Sequence, residues 1–128
     1  IDPALARGAH VVCDRFSDST MAYQAYAGGL DPKVIAELHR LALAGVEPDL
    51  TFVLDIAVED GLQRAATRRD NETRFERKGR EFHERLRQGF LDIARRAPKR
   101  CLVIDAGLPI ERVHSAVLDG LKSRLGLS

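Results

Sequence analysis

The chain is predicted to be an α/β protein: a parallel sheet with helices packed against it. Two observations predict this class. Three short continuous apolar runs, "AHVVC" (residues 9–13), "LTFVLDI" (50–56) and "CLVID" (101–105), read as strands buried on both faces. Between and after them lie segments with helical periodicity, so the order is strand, helices, strand, helices, strand, helix. Right-handed crossovers then make the strands parallel. With 128 residues, 45% hydrophobic and 30% charged, the chain has material for one domain over residues 1–128.

The helices follow from their end signals. Asp31-Pro32 is an N-cap followed by proline at the first helical position. Val34, Leu38, Leu41 and Ala42 then recur at helical spacing up to Gly45, a C-terminal stop. Glu59 and Asp60 open the next helix with acids at its positive end, and Leu62, Ala65 and Ala66 supply its apolar stripe. Phe82, Leu86, Phe90 and Ile93 mark a longer helix that ends near Pro98. Pro109 starts the last one, with Val113, Val117 and Leu121 on one face.

The totals narrow the function classes. Twenty basic residues against nineteen acidic ones give a net charge of +1, so no global field argues for nucleic acid. No run approaches the ~18 apolar residues of a membrane span, and no signal peptide is visible. Cys13 and Cys101 sit inside apolar runs and read as core thiols in a reducing compartment, which favours the cytoplasm. The four histidines show no metal-ligand spacing and are read as structural.

In open parallel sheets ligands bind at the carboxyl ends of the strands. Asp14, Asp55 and Asp105 all end apolar runs, so the shape alone does not choose among them. Such an acid can hold or orient Mg²⁺ on phosphates. Arg15 tips the choice to Asp14, because an adjacent guanidinium can grip a phosphate with a bidentate fork. If a helix starts near Ser19, then Ser19, Thr20, Tyr23 and Gln24 share one face and could read a base edge and a sugar. The same residues also fit an ordinary helix start, with Asp18 or Ser19 as N-cap and Tyr23 half buried.

A second cluster runs over residues 64–80, with seven basic residues against three acidic ones. Its "RRDNET" stretch has no apolar residue and reads as a loop between two helices. Arginines on such a loop can neutralise charge on a transferring phosphoryl group. A solvated loop or an RNA-contacting patch would look alike.

Three motifs in order resemble one family. "DRFSDSTMAYQ" is similar to the DR(Y/F/H)…S-T-x-A-Y-Q stretch of thymidylate kinases, which phosphorylate dTMP to dTDP with ATP. "GVEPDLTFVLDI" resembles their P-D-L-T-x-x-L-D strand entry, and "GLQRAATRRDNETRFE" their G-L-x-R helix and arginine-bearing lid. The similarity runs from Ile1 to about Leu121.

The resemblance implies a P-loop nucleoside-monophosphate-kinase fold, usually a homodimer packed through helices, here including those near residues 19–46. It implies an acceptor segment at about residues 9–30 and a lid at about 64–78. Asp14 would act at the Mg²⁺ and phosphate centre, directly or through water, and Arg15 would hold the acceptor's 5′-phosphate. Ser19, Thr20, Tyr23 and Gln24 would line the thymidine pocket. Arg64, Arg68, Arg69 and Arg74 would serve ATP, with Arg68 and Arg74 matching the lid arginines and Arg69 a substitute for either.

One departure from the family is large. No G-x-x-x-x-G-K-[ST] occurs in these 128 residues, and the family's first strand and P-loop precede the region that matches. The chain starts with Ile1 rather than methionine. The expectation is therefore an incomplete fold, the C-terminal part of a kinase, inactive by itself and active in its full-length parent. The missing loop is expected to lack an arginine, as in relatives whose lid carries them. A related nucleoside or nucleotide kinase, or a non-catalytic module binding nucleotide or nucleic acid, are the alternatives.

Overall fold

The computed structural model describes residues 1–67 and 79–127. Nine segments follow in order: α1 (Asp2–Ala6), α2 (Ser17–Thr20), a π-helical segment (Met21–Ala27), α3 (Pro32–Leu43), β1 (Thr51–Asp55), α4 (Val58–Thr67), α5 (Gly79–Arg96), β2 (Cys101–Asp105) and α6 (Ile110–Leu125). The α/β class holds. β1 and β2 pair in parallel, in register from Thr51 opposite Cys101 to Asp55 opposite Asp105.

The helix ends follow the sequence signals closely. The Asp31 carboxylate accepts the Lys33 N–H at 2.9 Å and caps α3. α3 stops at Leu43, where Ala44 and Gly45 both take left-handed backbone. Pro109 is the N-cap of α6.

One expected strand does not form. Residues 9–13 join no ladder among the described residues, and Val12 is 98% exposed. A strand exists only through its pairing, and among the described residues this run has none. The core reading of Cys13 fails with it: Cys13 is exposed, whereas Cys101 is buried in β2, and both thiols are free. Burial on both faces is also incomplete, since Leu54 and Val103 are exposed.

The core lies where α5 is held between the sheet and the π-helical segment. Phe82, Leu86, Ile93 and Ala94 of α5 meet Val53 and Cys101 on one side and Ala22 and Ala27 on the other. The approach is close at Gly89: a Cβ there would stand 2.6 Å from Tyr26 Cβ, so any larger residue would push the two helices apart. On the opposite sheet face, Gly120 lets α6 settle against Leu102 and Phe52.

The apolar stripe of α3 behaves differently from expectation. Val34, Leu38 and Leu41 are more than half exposed, and Ile35 is the residue that faces inward. A stripe at i, i+4 and i+7 with nothing of the described residues over it is an unfilled packing face.

Candidate functional site

Asp14 and Arg15 stand on an irregular turn, not at a strand end. Arg15 takes φ of 65°, a left-handed conformation that costs a branched-free L residue roughly 1 kcal/mol or more. The Cys13 thiol donates to the Arg15 carbonyl at 3.2 Å. This turn carries the guanidinium back over the Tyr23 ring, with Cζ 5.3 Å from its centroid.

Tyr23 is itself held by α5. Its ring lies edge-on to Phe90 and tilted to Phe82, both at 6.3 Å between centroids. Ser19 is half-buried, while Thr20 and Gln24 are exposed. Arg15 and Tyr23 are thus brought together, and Ser19, Thr20 and Gln24 lie on the same short stretch of helix. The N-cap expectation was misplaced. Helix α2 starts at Ser17 after Phe16, with no side-chain cap. The Asp18 carboxylate is instead taken by Arg100, at 2.6 and 3.0 Å, and Arg100 also donates to Thr51 Oγ1 at 2.8 Å.

The other two strand-end acids are engaged in structure. Asp55 accepts two hydrogen bonds from Arg87, at 2.8 and 2.9 Å. Asp55 has no arginine beside it in sequence; the fold supplies one from 32 residues along the chain. Asp105 Oδ1 accepts the Gly107 N–H at 2.8 Å. Asp14 is exposed beside Arg15. A lone exposed carboxylate fits Mg²⁺, which takes one or two carboxylates and keeps waters and phosphate oxygens elsewhere in its shell. Among the described residues no group of three or more His, Cys, Asp or Glu forms a ready-made metal cage.

The Arg87 hydrogen bonds hold the Asp55 carboxyl below its ordinary value of 3.8. A depressed carboxylate pKa contributes stability above the unfolded value, and this is lost as pH falls through the folded one. Asp55→Asn is therefore expected to cost about 1–2 kcal/mol at neutral pH. The gap to the unsubstituted protein should begin to narrow below about pH 4 and close only once pH falls through the depressed folded value. Urea titrations of both proteins across that range check this, and a gap that persists in acid would contradict it.

Arg64 donates to the Ala106 carbonyl at 2.8 Å and so ties α4 to the turn after β2. An open groove of about 450 Å³ lies there, lined by Asp60, Gln63, Arg64, Thr67 and Gly107. Arg68, Arg69 and Arg74 lie outside the described residues. Arg80 forms an ion pair with Glu59, linking the start of α5 to α4. Arg87 and Arg100 were missed by the sequence reading. Neither has a motif of its own, and only their charge in a half-apolar helix or turn was a hint.

A family model described as thymidylate kinase matches residues 1–117. The thymidylate kinase of Caulobacter vibrioides is 53% identical over 127 residues, covering 99% of this chain and 61% of the relative. That of Trichlorobacter lovleyi is 46% identical, covering 99% of this chain and 62% of the relative. A crystal structure of thymidylate kinase from Ehrlichia chaffeensis matches with a TM-score of 0.69 and 36% identity, over 94% of this chain and 53% of the other. The chain therefore spans about three-fifths of the length of the curated relatives it matches. The three motifs, the parallel sheet with its helices and the family-model match agree, and the chain belongs to the thymidylate kinase family.

Proposed function

We propose that the whole protein carrying this chain transfers the γ-phosphoryl group of ATP to dTMP, giving dTDP. The observation that carries this reading is the placement of the Arg15 guanidinium over Tyr23 by a left-handed turn. That turn puts a phosphate-gripping fork next to an aromatic ring and an exposed amide, Gln24, on the same helix. A nucleoside monophosphate needs those three groups: a fork for its phosphate, a ring for its sugar or base, and an amide for its base edge.

In this mechanism Arg15 holds the acceptor phosphate while Ser19, Thr20, Tyr23 and Gln24 fix the nucleoside. Asp14 would hold Mg²⁺, directly or through water; the ion supplies charge neutralisation on the phosphates. Arg64 braces the groove beside Ala106, where it can serve ATP, and Arg68 and Arg74, with Arg69 a substitute for either, would neutralise charge on the transferring group. Catalysis is positioning plus charge neutralisation, because phosphoryl transfer needs little covalent help. By itself the chain lacks the G-x-x-x-x-G-K-[ST] signature that cradles ATP, so activity belongs to the whole protein.

The exposed Val34, Leu38 and Leu41 stripe supports a homodimer packed through α3. No helix among the described residues is long and apolar enough to cross a membrane.

Coupled-assay turnover by the whole protein tests the reading. dTMP is expected to be phosphorylated with a higher kcat/KM than dUMP or dCMP, by a protein that sediments as a dimer. Preference for dCMP, or no turnover of any of the three, would overturn it.

A further inference from the structure

Tyr26 takes no part in the motif reading, yet it sits three residues after Tyr23 at the tightest point of the core. Its hydroxyl donates to Asp92 Oδ2 on α5, and its Cβ fills the space left by Gly89. Asp92 is in turn held by Arg96 Nε at 2.8 Å and, more weakly, by Arg95 at 3.4 Å. The stretch that carries Tyr26, Met21–Ala27, is wound as a π-helix, a rare form that occurs frequently at functional sites.

We propose that Tyr26 and Asp92 are a positioning pair for the acceptor wall: the hydrogen bond from the π-helical segment to α5 fixes the rotation at which Tyr23 faces Arg15. The inference rests on the proposed acceptor role of those residues and extends it to two side chains that touch no substrate. Three attachments to one helix make the case. Phe82 and Phe90 flank the Tyr23 ring, Gly89 admits Tyr26, and Asp92 anchors the Tyr26 hydroxyl. The first two are apolar and tolerate sliding; the hydrogen bond is directional and sets the angle. The hydrogen bond holds the Asp92 carboxyl below its ordinary range and raises the Tyr26 phenol, as expected of a donor on a charged acceptor.

The test uses the whole protein. Tyr26→Phe keeps the ring in the Gly89 gap and removes only the hydroxyl. It is expected to raise KM for dTMP about fivefold, the range of one lost hydrogen bond, with kcat and the KM for ATP within about twofold. Asp92→Ala should do the same, Asp92→Asn should retain most of the function because its carbonyl can still accept, and the Tyr26→Phe/Asp92→Ala double variant should be no worse than the poorer single. Amide hydrogen exchange over residues 21–27 should quicken in Tyr26→Phe. An unchanged dTMP KM, equal loss in every kinetic constant, or additive effects would overturn the pair. If the unsubstituted protein does not accept dTMP, the acceptor reading fails. Hydrogen exchange then still judges the pair, and unchanged exchange over residues 21–27 overturns it.

Discussion

Replacing Arg68 and Arg74 together with alanine is expected to lower kcat of the whole protein by about 10³-fold or more, the scale of arginine-finger losses. The physical argument concerns where charge goes during transfer. The transferred phosphoryl group passes through a loose transition state whose negative charge spreads over its equatorial oxygens. Water neutralises that charge poorly once a loop has closed, while a guanidinium placed beforehand costs no reorganisation at the moment of reaction. Residues 64–80 concentrate seven basic residues, and the stretch between Arg68 and Arg74 contains nothing apolar that would anchor it in a core. The dTMP KM should change little if these arginines act on the donor side, as proposed. If Arg69 substitutes for Arg68, the double variant will keep residual turnover and the triple variant will lose it. Turnover equal to that of the unsubstituted protein, measured with saturating dTMP and ATP, would remove the lid arginines from the mechanism.

The fold was legible where structure is local. The Asp31-Pro32 start, the stop at Ala44 and Gly45, the long apolar face from Phe82 to Ile93 and the two paired strands all follow from spacing and caps. What was not legible depends on partners distant in sequence. The run at residues 9–13 has the same composition as β1 and β2 and yet joins no ladder, because pairing is decided by a neighbour and not by the run itself. Val34, Leu38 and Leu41 have helical spacing, but spacing does not say which side meets the rest of the chain.

The site divides in the same way. Asp14, Arg15, Tyr23 and Gln24 fall within eleven residues, so their proximity could be read directly. The residues that hold them could not. Asp18 with Arg100, Asp55 with Arg87 and Tyr26 with Asp92 are separated by 82, 32 and 66 positions. Periodicity carries no information about such pairs. Asp55 shows the consequence: it looked equivalent to Asp14 as a strand-end acid, and a bidentate arginine from α5 makes it structural.

The second large effect is expected at Arg15. Its backbone strain of about 1 kcal/mol is roughly offset by its attraction to the Tyr23 ring, worth about 0.5–1 kcal/mol at an exposed site. Arg15→Gly removes the strain along with the attraction, so its effect on stability should be smaller than its effect on dTMP turnover. Truncating one side of a close charge pair costs about 2–5 kcal/mol, so a guanidinium on the acceptor phosphate has far more effect on function than on folding. Arg15→Lys should recover only part of that, because an ammonium lacks the planar fork.

The most direct measurement is the steady-state kinetics of Arg15→Ala in the whole protein with dTMP as the varied acceptor. The expected result is a kcat/KM for dTMP about a hundredfold lower, equivalent to about 3 kcal/mol, with the KM for ATP within about twofold and the unfolding midpoint lowered only slightly, because alanine keeps the left-handed strain and loses the attraction to Tyr23. Unaltered kinetics with dTMP would contradict the assignment of Asp14-Arg15 to the acceptor side of the site.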